Sequence, residues 1–466
     1  MLVDAPFSVN PTPESRAAPA ESVRQIAVRH IEKLVLVVFW LLILEGALRK
    51  WVAPQLAHYL FFIRDPFVVL LYWHAMRAQA FRRAGPWLAA GMAFAAVAPL
   101  LAFVQIASLG DSRMATIMAY GWRQYFLYLP LPFALAGAIS EQFLWRFMRH
   151  AFLATIITAP LMVAQFHSPP SSIINRGIAE DEALQFKSVD FLDNLIRPSG
   201  TFTSTVGTSN LAASTLALLL AAWLVPASRR RISTWLLLLA AAATAVCLAV
   251  CGSRGAFVNS AIVVLFALLV GIVAPRAAVR GRALLIPMVL LVVGAVLYPI
   301  LFPDALNATL GRFAAAQSLE SSSSSLGILG RALHETVGFM SILGDAPLAG
   351  YGLGLGGNGR SFLGSDTGLL PTIFAESDWT RHIVDLGPVV GVLFILYRIA
   401  VTFDVFRRSI IATRRAADPL PLLLFGYLGI GLFDGQLTGH GTVGGFLWLY
   451  LGLCLASCRI ALERPA

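Results

Sequence analysis

The sequence predicts an all-α integral membrane protein with about twelve transmembrane helices. The chain is 58% hydrophobic and only 13% charged, whereas about a quarter of the residues in a soluble domain are charged. Apolar runs of about 20 residues, the length that crosses a bilayer, recur along the chain. Short arginine clusters follow every second run. No polar stretch is long enough to hold a separate soluble domain.

The apolar runs give the order of the predicted helices. The first, Leu34–Leu44, follows a polar segment with Arg16, Arg24 and Arg29, and no small-residue cleavage site comes after it. We therefore expect an uncleaved anchor. The runs are centred near residues 40, 70, 96, 131, 157, 217, 243, 264, 292, 393, 427 and 452.

The arginine clusters predict the orientation in the membrane. Short basic connections are typical of cytoplasmic loops, so both termini are expected in the cytoplasm. The net charge of +10 is then a topological signal and does not indicate nucleic-acid binding. The clusters are Arg77, Arg82 and Arg83; Arg146 and Arg149; Arg229, Arg230 and Arg231; Arg276, Arg280 and Arg282; and Arg407, Arg408, Arg414 and Arg415.

Five segments follow from this topology. Residues 1–31 form a cytoplasmic tail, residues 32–302 the first nine helices with an outer loop at 167–207, and residues 303–381 a large periplasmic loop. Residues 382–459 form the last three helices, and residues 460–466 a second cytoplasmic tail. Both long loops lie on the outer side, so they are the segments able to build an external site.

Two features of the large loop and four cysteines have simple structural interpretations. A helix is expected near residues 326–342. The glycine-rich stretch Gly350–Gly357 predicts a tight turn, because no βαβ context supports a dinucleotide-binding motif. The cysteines form two i, i+4 pairs in apolar helices, where thiols pack as small hydrophobes. They are Cys247, Cys251, Cys454 and Cys458.

Basic side chains at the outer ends of the helices are not explained by orientation. An arginine costs about 2.5–3.5 kcal/mol at the centre of an inserting helix, and charges at the membrane edge are candidates for functional sites. The outer set is Arg49, Lys50, Arg64, Arg123, Arg197, Arg254, Arg331 and Arg381.

Two arginines in this set belong to short motifs. Arg254 lies in Gly252–Gly255, between apolar segments 234–251 and 256–274, which predicts a guanidinium at the outer mouth of a helical hairpin. The alternative is a snorkelling arginine that ends a helix. Arg197–Phe202 precedes a helix opening near Thr208, and its alternative is a turn followed by an N-cap.

Outer carboxylates accompany these arginines. Glu45 and Arg49 have the i, i+4 spacing of an ordinary intrahelical ion pair, and Arg64-Asp65-Pro66 has the form of a helix start. Glu376–His382 concentrates ionisable groups at the start of the tenth helix. The helix dipole favours acids there, but it does not explain Arg381 and His382. Asp378 and Asp385 complete this set.

Such a set suits transfer from a lipid diphosphate. Arginine presents a planar fork of donors to phosphate and keeps its charge at any working pH. Two or three arginines neutralise a departing diphosphate, the role that a divalent ion plays in soluble enzymes. A carboxylate with a raised pKa then takes a proton from the attacking hydroxyl.

The motifs resemble those of the O-antigen ligase and Wzy-type polymerase superfamily of bacterial envelope glycan enzymes, over residues 34–455. Ser253-Arg254-Gly255 resembles the family's Ser-Arg-Gly at a helix start, and Arg197-Pro198-Ser199-Gly200-Thr201-Phe202 its Arg-x-Ser-Gly-Thr-Phe element. Gly350-Tyr351-Gly352-Leu353-Gly354 is similar to its Gly-x-Gly-Leu-Gly.

The resemblance favours polymerase over ligase. Ligases of this family carry His, then Asn, Ser or Gln, then nine residues and Gly-x-x-Gly. Glu376 and Ser377 stand at the first two positions, counted back from Gly387, so Glu replaces His, and Gly387–Gly391 is one residue longer. Glu45–Trp51 and Arg64-Asp65-Pro66 resemble polymerase-like members found with exopolysaccharide genes.

The resemblance implies a metal-independent glycosyltransferase with a GT-C-like fold, no cofactor and a site that faces the periplasm of a bacterial inner membrane. Its donor is an undecaprenyl-diphosphate-linked glycan, its acceptor another lipid-linked unit, and other polysaccharide assembly proteins are possible partners. Glu376 is the expected general base, with Asp378 and His382 as neighbours. Arg197 and Arg254 are expected to hold the diphosphate, with Arg331 or Arg381 as a third. Secondary candidates are Glu45, Arg49, Arg64, Asp65 and Arg123.

Three alternatives remain at this point. A ligase would transfer the glycan to lipid A core instead of to another repeat unit. A flippase or transporter of lipid-linked oligosaccharide also fits about twelve helices, but transporters usually show an internal repeat and midplane polar sites, and the sequence shows neither. A non-catalytic scaffold for an envelope glycan complex is the third.

Overall fold

The computed structural model describes residues 13–109, 114–178, 196–323, 336–357 and 377–464. The regular structure of these residues is helical. The first helices are α1 Pro13–Ala47, α2 Ala57–Leu60, α3 Asp65–Arg77, α4 Gly85–Leu109, α5 Met114–Trp122, α6 Leu131–Ala138, α7 Glu141–Phe166 and α8 Thr205–Leu224. The later helices are α9 Thr234–Val250, α10 Arg254–Val273, α11 Ala277–Leu301, α12 Pro303–Ser323, α13 Asp378–Ala416, α14 Leu420–Phe433 and α15 Gly441–Glu463.

The described helices are those of a multi-pass membrane protein. Eight helical segments are long and apolar enough to cross a bilayer, and α9 and α14 are shorter apolar helices. Each run centre predicted from the sequence falls within a helix. The eight segments are Pro54–Arg77, Gly85–Ser108, Glu141–Phe166, Thr205–Leu224, Arg254–Val273, Ala277–Leu301, Asp378–Ala416 and Gly441–Glu463.

The run predicted near residue 131 is interrupted. Helix α5 continues into a π-helical turn at Arg123–Leu127, and α6 begins only at Leu131. Pro130 and Pro132 lie at this break, and proline lacks the N–H that an uninterrupted helix needs. The π turn places Arg123 at the polar end of the helix, where it reaches α3. π turns of this kind are frequent at functional sites.

The core forms around α8, α14 and α15. Nearly all of α8 is buried, whereas α11 leaves most of its apolar surface exposed. Small residues permit close packing, as membrane helices often require: a Cβ on Gly452 of α15 would lie 2.7 Å from the Leu135 side chain of α6. The four cysteines are buried, as predicted for thiols that pack as small hydrophobes.

The bundle has two polar ends, which we name by their residues. The site end contains Arg49, Arg64, Asp378 and His440, and the basic end contains Arg229, Arg276, Arg415 and Arg464. At the basic end, Arg464 joins α7 to the loop before α14, because its Nη2 lies 2.9 Å from Glu141 Oε1 and its Nη1 lies 3.0 Å from Asp418 Oδ2.

Candidate functional site

The glycine-rich stretch forms turns that pack against α13. Gly350 has a φ of +79°, and a Cβ there would lie 2.7 Å from the backbone nitrogen of Gly387, whose φ is also +79°. Both residues must therefore be glycine for the two backbones to meet. Gln105 of α4 fixes the turn, because its Oε1 accepts from Leu353 N at 3.0 Å and its Nε2 donates to Asp385 O at 2.9 Å. The predicted tight turn is confirmed.

Asp378, which is fully buried, is the centre of a first ionic network. Its carboxylate pairs with Arg381 Nη1 and, at 2.8 Å, with Arg398 Nη1. It also accepts from Thr438 N at 3.1 Å. Ser377 caps the helix, since its Oγ accepts from Thr380 N at 3.1 Å. The start of α13 is thereby tied to the loop between α14 and α15.

His382 and Asp385 extend this network towards α5. Tyr125 Oη lies 2.9 Å from His382 Nδ1 and donates to Asp385 Oδ2 at 3.0 Å. Arg398 Nη1 lies 2.8 Å from His382 Nε2, and Gly356 N donates to Asp385 Oδ1 at 2.8 Å. Both ring nitrogens of His382 thus have partners in the fold, which suits a residue that positions its neighbours.

A second network links the end of α1 to α3 and α15. Arg64 Nε lies 2.9 Å from Glu45 Oε2, and Arg49 Nη1 donates to Glu45 Oε1 at 3.2 Å. Arg64 is only 1% exposed, and its Nη2 donates to Gly441 O at 3.3 Å. The predicted pair of Glu45 and Arg49 is present, but Glu45 is shared with a second arginine. Glu45 therefore connects α1 to the turn before α3, in addition to pairing within its own helix.

Arg123 adds a third guanidinium beside this network. Its Nη2 donates to Asp65 Oδ1 at 2.9 Å, and Tyr128 Oη donates to the same oxygen at 2.8 Å. Asp65 begins α3 with Pro66 next to it, as the sequence predicted. The Arg123 guanidinium carbon lies 4.6 Å from the centre of the Phe61 ring, and that of Arg49 lies 5.3 Å from the same centre. One aromatic ring thus brings two arginines together.

Lys50 docks the Arg197–Phe202 motif onto the end of α1. Its Nζ donates to Gly200 O at 2.8 Å and to Ser199 Oγ at 3.0 Å. Gly46 lets the two backbones touch, because a Cβ there would lie 2.5 Å from Thr201 O. The Glu45–Trp51 and Arg197–Phe202 motifs, which are far apart in the sequence, therefore form one structural unit.

His440 lies between the two ionic networks. On one side of it, a Cβ on Gly439 would lie 1.5 Å from Arg381 Nη1, so this guanidinium passes directly over the glycine. On the other side, Gly441 O accepts from Arg64. Residues 439–441 thus separate an arginine of the first network from an arginine of the second.

The surroundings of His440 favour its neutral form. Its Nε2 lies 3.2 Å from Ser204 Oγ. Its Nδ1 is buried and has no hydrogen-bond partner among the described residues. Burial, together with the positive charges of Arg381 and Arg64, lowers the pKa of His440 to about 4. A neutral imidazole with one unpartnered nitrogen is a proton acceptor.

The structure describes two of the remaining predicted residues, Arg254 and Arg197. Arg254 is the first residue of α10, is half-buried and follows the N-cap Ser253. The short connection after α9 is present, but α9 packs against α7 and α8 whereas α10 packs against α8, α11 and α14, so the two do not form the packed hairpin that the sequence predicts. Arg197 is half-buried at the start of its motif. Neither belongs to the two networks among the described residues, and each has an interaction of its own. Arg331 and Glu376 lie outside the described residues.

Three important residues were missed from the sequence. His440 lies in the short connection before α15, whereas the sequence predicts an external site in the two long loops. Arg398 lies within an apolar helix, and an intramembrane charge is itself a signal. Tyr125 gave no signal, because only the fold brings it to His382. The polar motif Thr438-Gly439-His440-Gly441, at the start of the last apolar helix, is the sequence signal that points to this site.

The site end can therefore bind an anion and accept a proton. The described residues contain no group of three His, Cys, Asp or Glu side chains arranged to hold a metal ion. No protein-family model matches the sequence, and no curated protein matches it significantly.

Proposed function

We propose that the protein is a membrane glycosyltransferase of the O-antigen ligase and Wzy-type polymerase superfamily, which extends a polyprenyl-diphosphate-linked glycan. One observation carries this proposal: Arg64 and Arg381 flank the neutral His440 at one end of a membrane bundle. Arg49 shares Glu45 with Arg64 and meets Arg123 at the Phe61 ring, so four guanidinium groups lie at this end. Packing alone gives no reason to concentrate these groups there.

The arginines bind the diphosphate of the donor. Arg49 Nε and Arg64 Nη1 are buried and have no hydrogen-bond partner among the described residues. A buried unsatisfied donor costs about 1–3 kcal/mol, and more when it is charged. A phosphate oxygen removes that cost and offsets the positive charge. Guanidinium groups that stabilise the developing charge of the leaving diphosphate lower the barrier to transfer.

His440 accepts the proton of the attacking hydroxyl. As the acceptor oxygen bonds to the anomeric carbon, the bond between that carbon and the phosphate oxygen breaks, and the diphosphate leaves with the electron pair. The hydroxyl proton passes to His440 Nδ1. Glu376, the base expected from the family resemblance, is the competing candidate for the same step.

The cellular setting follows from the proposed orientation. The basic end faces the cytoplasm of a bacterial inner membrane, the site end faces the periplasm, and about twelve helices cross the bilayer. The acceptor is another lipid-linked unit, so the product is a longer surface polysaccharide. A ligase would use the same donor and the same arginines but a different acceptor.

Purified protein incubated with a lipid-linked donor tests the activity. We expect products longer than one repeat unit from the wild-type chain, and a much slower appearance of such products from Arg64→Gln and His440→Gln. Glu376→Gln then distinguishes the two candidate bases, His440 and Glu376. The base is the residue whose replacement lowers turnover while the protein still binds donor. A wild-type chain that only moves the donor across a vesicle membrane would show a flippase and refute the proposal.

A further inference from the structure

A second charged cavity lies at the opposite end of the bundle. It has a volume of about 920 Å³ and lies where α7, α8, α11, α13 and α15 begin or end. Six arginines and two carboxylates line it. The arginines come from four different parts of the chain: Arg229, Arg230 and Arg231; Arg276; Arg415; and Arg464.

The charges of this cavity are unbalanced. Its two carboxylates, Glu141 and Asp418, both pair with Arg464 at 2.9 and 3.0 Å. The other five arginines make no ion pair with a carboxylate that the structure describes. Arg149 donates to Arg231 O at the edge of this cluster and adds a further positive charge. Like charges that converge on one space repel each other, and an anion placed among them relieves that repulsion.

Orientation in the membrane does not require this arrangement. The excess of basic residues that is typical of cytoplasmic loops is met by arginines anywhere near the helix ends. Arg280 and Arg414 meet that need at the same end, yet they do not line the cavity. Convergence of basic side chains from separate loops on one cavity is a feature of a binding site.

The cavity also has an apolar wall. Leu144, Trp145, Met148, Val279 and Ile460 line it alongside the arginines. Free phosphate would leave this surface unused, whereas a lipid fills it with its glycerol and upper acyl chains. Basic pockets between membrane helices on the cytoplasmic side recognise phosphate-bearing lipid headgroups.

We infer that this cavity binds the phosphate headgroup of an anionic phospholipid from the leaflet at the basic end. The arginines contact the phosphate oxygens, and the apolar wall contacts the acyl chains. The site is separate from the proposed transferase site, so it does not depend on that function.

Lipid binding to the detergent-solubilised full chain tests this inference by native mass spectrometry. The probes are phosphatidylglycerol, phosphatidylcholine and inorganic phosphate. The test variant combines Arg230→Gln, Arg276→Gln and Arg415→Gln. The control combines Arg280→Gln, Arg282→Gln and Arg414→Gln, which removes the same charge at the same end without touching the cavity lining.

We expect the wild-type chain and the control to bind phosphatidylglycerol in preference to phosphatidylcholine. A basic residue near an anionic membrane surface contributes about a fivefold gain in affinity, so loss of three is expected to weaken binding by about a hundredfold. Equal weakening in the test variant and the control would overturn the inference. Displacement of bound phosphatidylglycerol by millimolar inorganic phosphate would also overturn it, because the apolar wall would then contribute nothing.

Discussion

Ser204 Oγ and His440 Nε2 lie 3.2 Å apart, although the two residues are separated by 236 positions in the chain. In the tautomer whose Nε2–H donates to Ser204, the Nδ1 atom keeps its lone pair. Ser204 is the residue before α8, so the loop that carries the Arg197–Phe202 motif orients the imidazole. The proposed base therefore depends on a contact between distant segments.

Replacement of His440 tests its role directly. We expect His440→Gln to reduce turnover by about 10²–10⁴-fold, the usual contribution of a general base. His167→Gln, at an exposed histidine that follows α7, serves as the control and should keep wild-type turnover. Rates are measured on purified protein with a lipid-linked donor. Comparable rates in both variants would exclude His440 from the chemistry.

The low pKa of His440 predicts the pH dependence of activity. A general base works in its neutral form, so kcat/KM should stay constant as the pH falls from 8 and decline only near the pKa of about 4. Measurement of kcat/KM over this range checks the prediction. A decline centred near 6.5, the ordinary pKa of histidine, would show that burial and the two arginines do not control the site.

The same shift predicts how stability depends on pH. The unfolded chain binds the His440 proton near pH 6.5, whereas the folded chain binds it only near pH 4. Between these values the unfolded state holds more protons, so the free energy of unfolding falls as the pH is lowered through this window. Thermal unfolding of the wild type and of His440→Gln, measured at several pH values, gives the slope of the free energy of unfolding against pH for each protein. The variant should show the smaller slope between pH 6.5 and 4.

Sequence and structure agree best where local pattern decides the outcome. The helix starts at Arg254 and Asp65 and the turns after Gly350 follow from hydropathy, proline and glycine. The second partner of Glu45 does not, because Arg64 reaches it from the turn before α3. His382 is predicted as a catalytic neighbour, but its two contacts depend on the fold. Tyr125 reaches it from the π turn, and Arg398 reaches it because α13 is kinked at Gly387.

Removal of the Asp378 carboxylate charge should weaken the whole site end. Asp378→Asn leaves Arg381 and Arg398 buried without their shared counter-ion, and breaking a buried ion pair in this way costs about 3–5 kcal/mol. Glu463→Gln removes a carboxylate whose side chain is 47% exposed and pairs with Arg459. Exposed pairs contribute about 0–1 kcal/mol, so this control should unfold near the wild-type temperature. Equal melting temperatures for the two variants would contradict the structural role of Asp378.

A single methyl group at residue 439 should displace Arg381. A Cβ there would lie 1.5 Å from Arg381 Nη1, so Gly439→Ala must move the guanidinium away from His440. We expect weaker donor binding, seen as a raised KM for the lipid-linked donor. Gly294→Ala in α11 is the control, since a Cβ there meets nothing within 4 Å. An unchanged KM in Gly439→Ala would show that Arg381 does not contact the donor.

The proposed reaction should not need a divalent metal ion. Arginines supply the positive charge at the leaving diphosphate, so turnover of purified protein should persist in excess EDTA. Initial rates with and without EDTA, and after addition of magnesium, provide the measurement. Loss of turnover that magnesium restores would contradict the assignment of this role to the arginines.

The lipid-linked glycans of a deletion strain test the central claim most directly. Complementation with the wild-type gene should restore long polymers, whereas His440→Gln and Arg64→Gln should leave single repeat units on the polyprenyl carrier at the periplasmic face. Full-length polymer that stays on the carrier would indicate a ligase. Single units confined to the cytoplasmic leaflet, or normal polymer in both variants, would contradict a transferase site built from the arginines around His440.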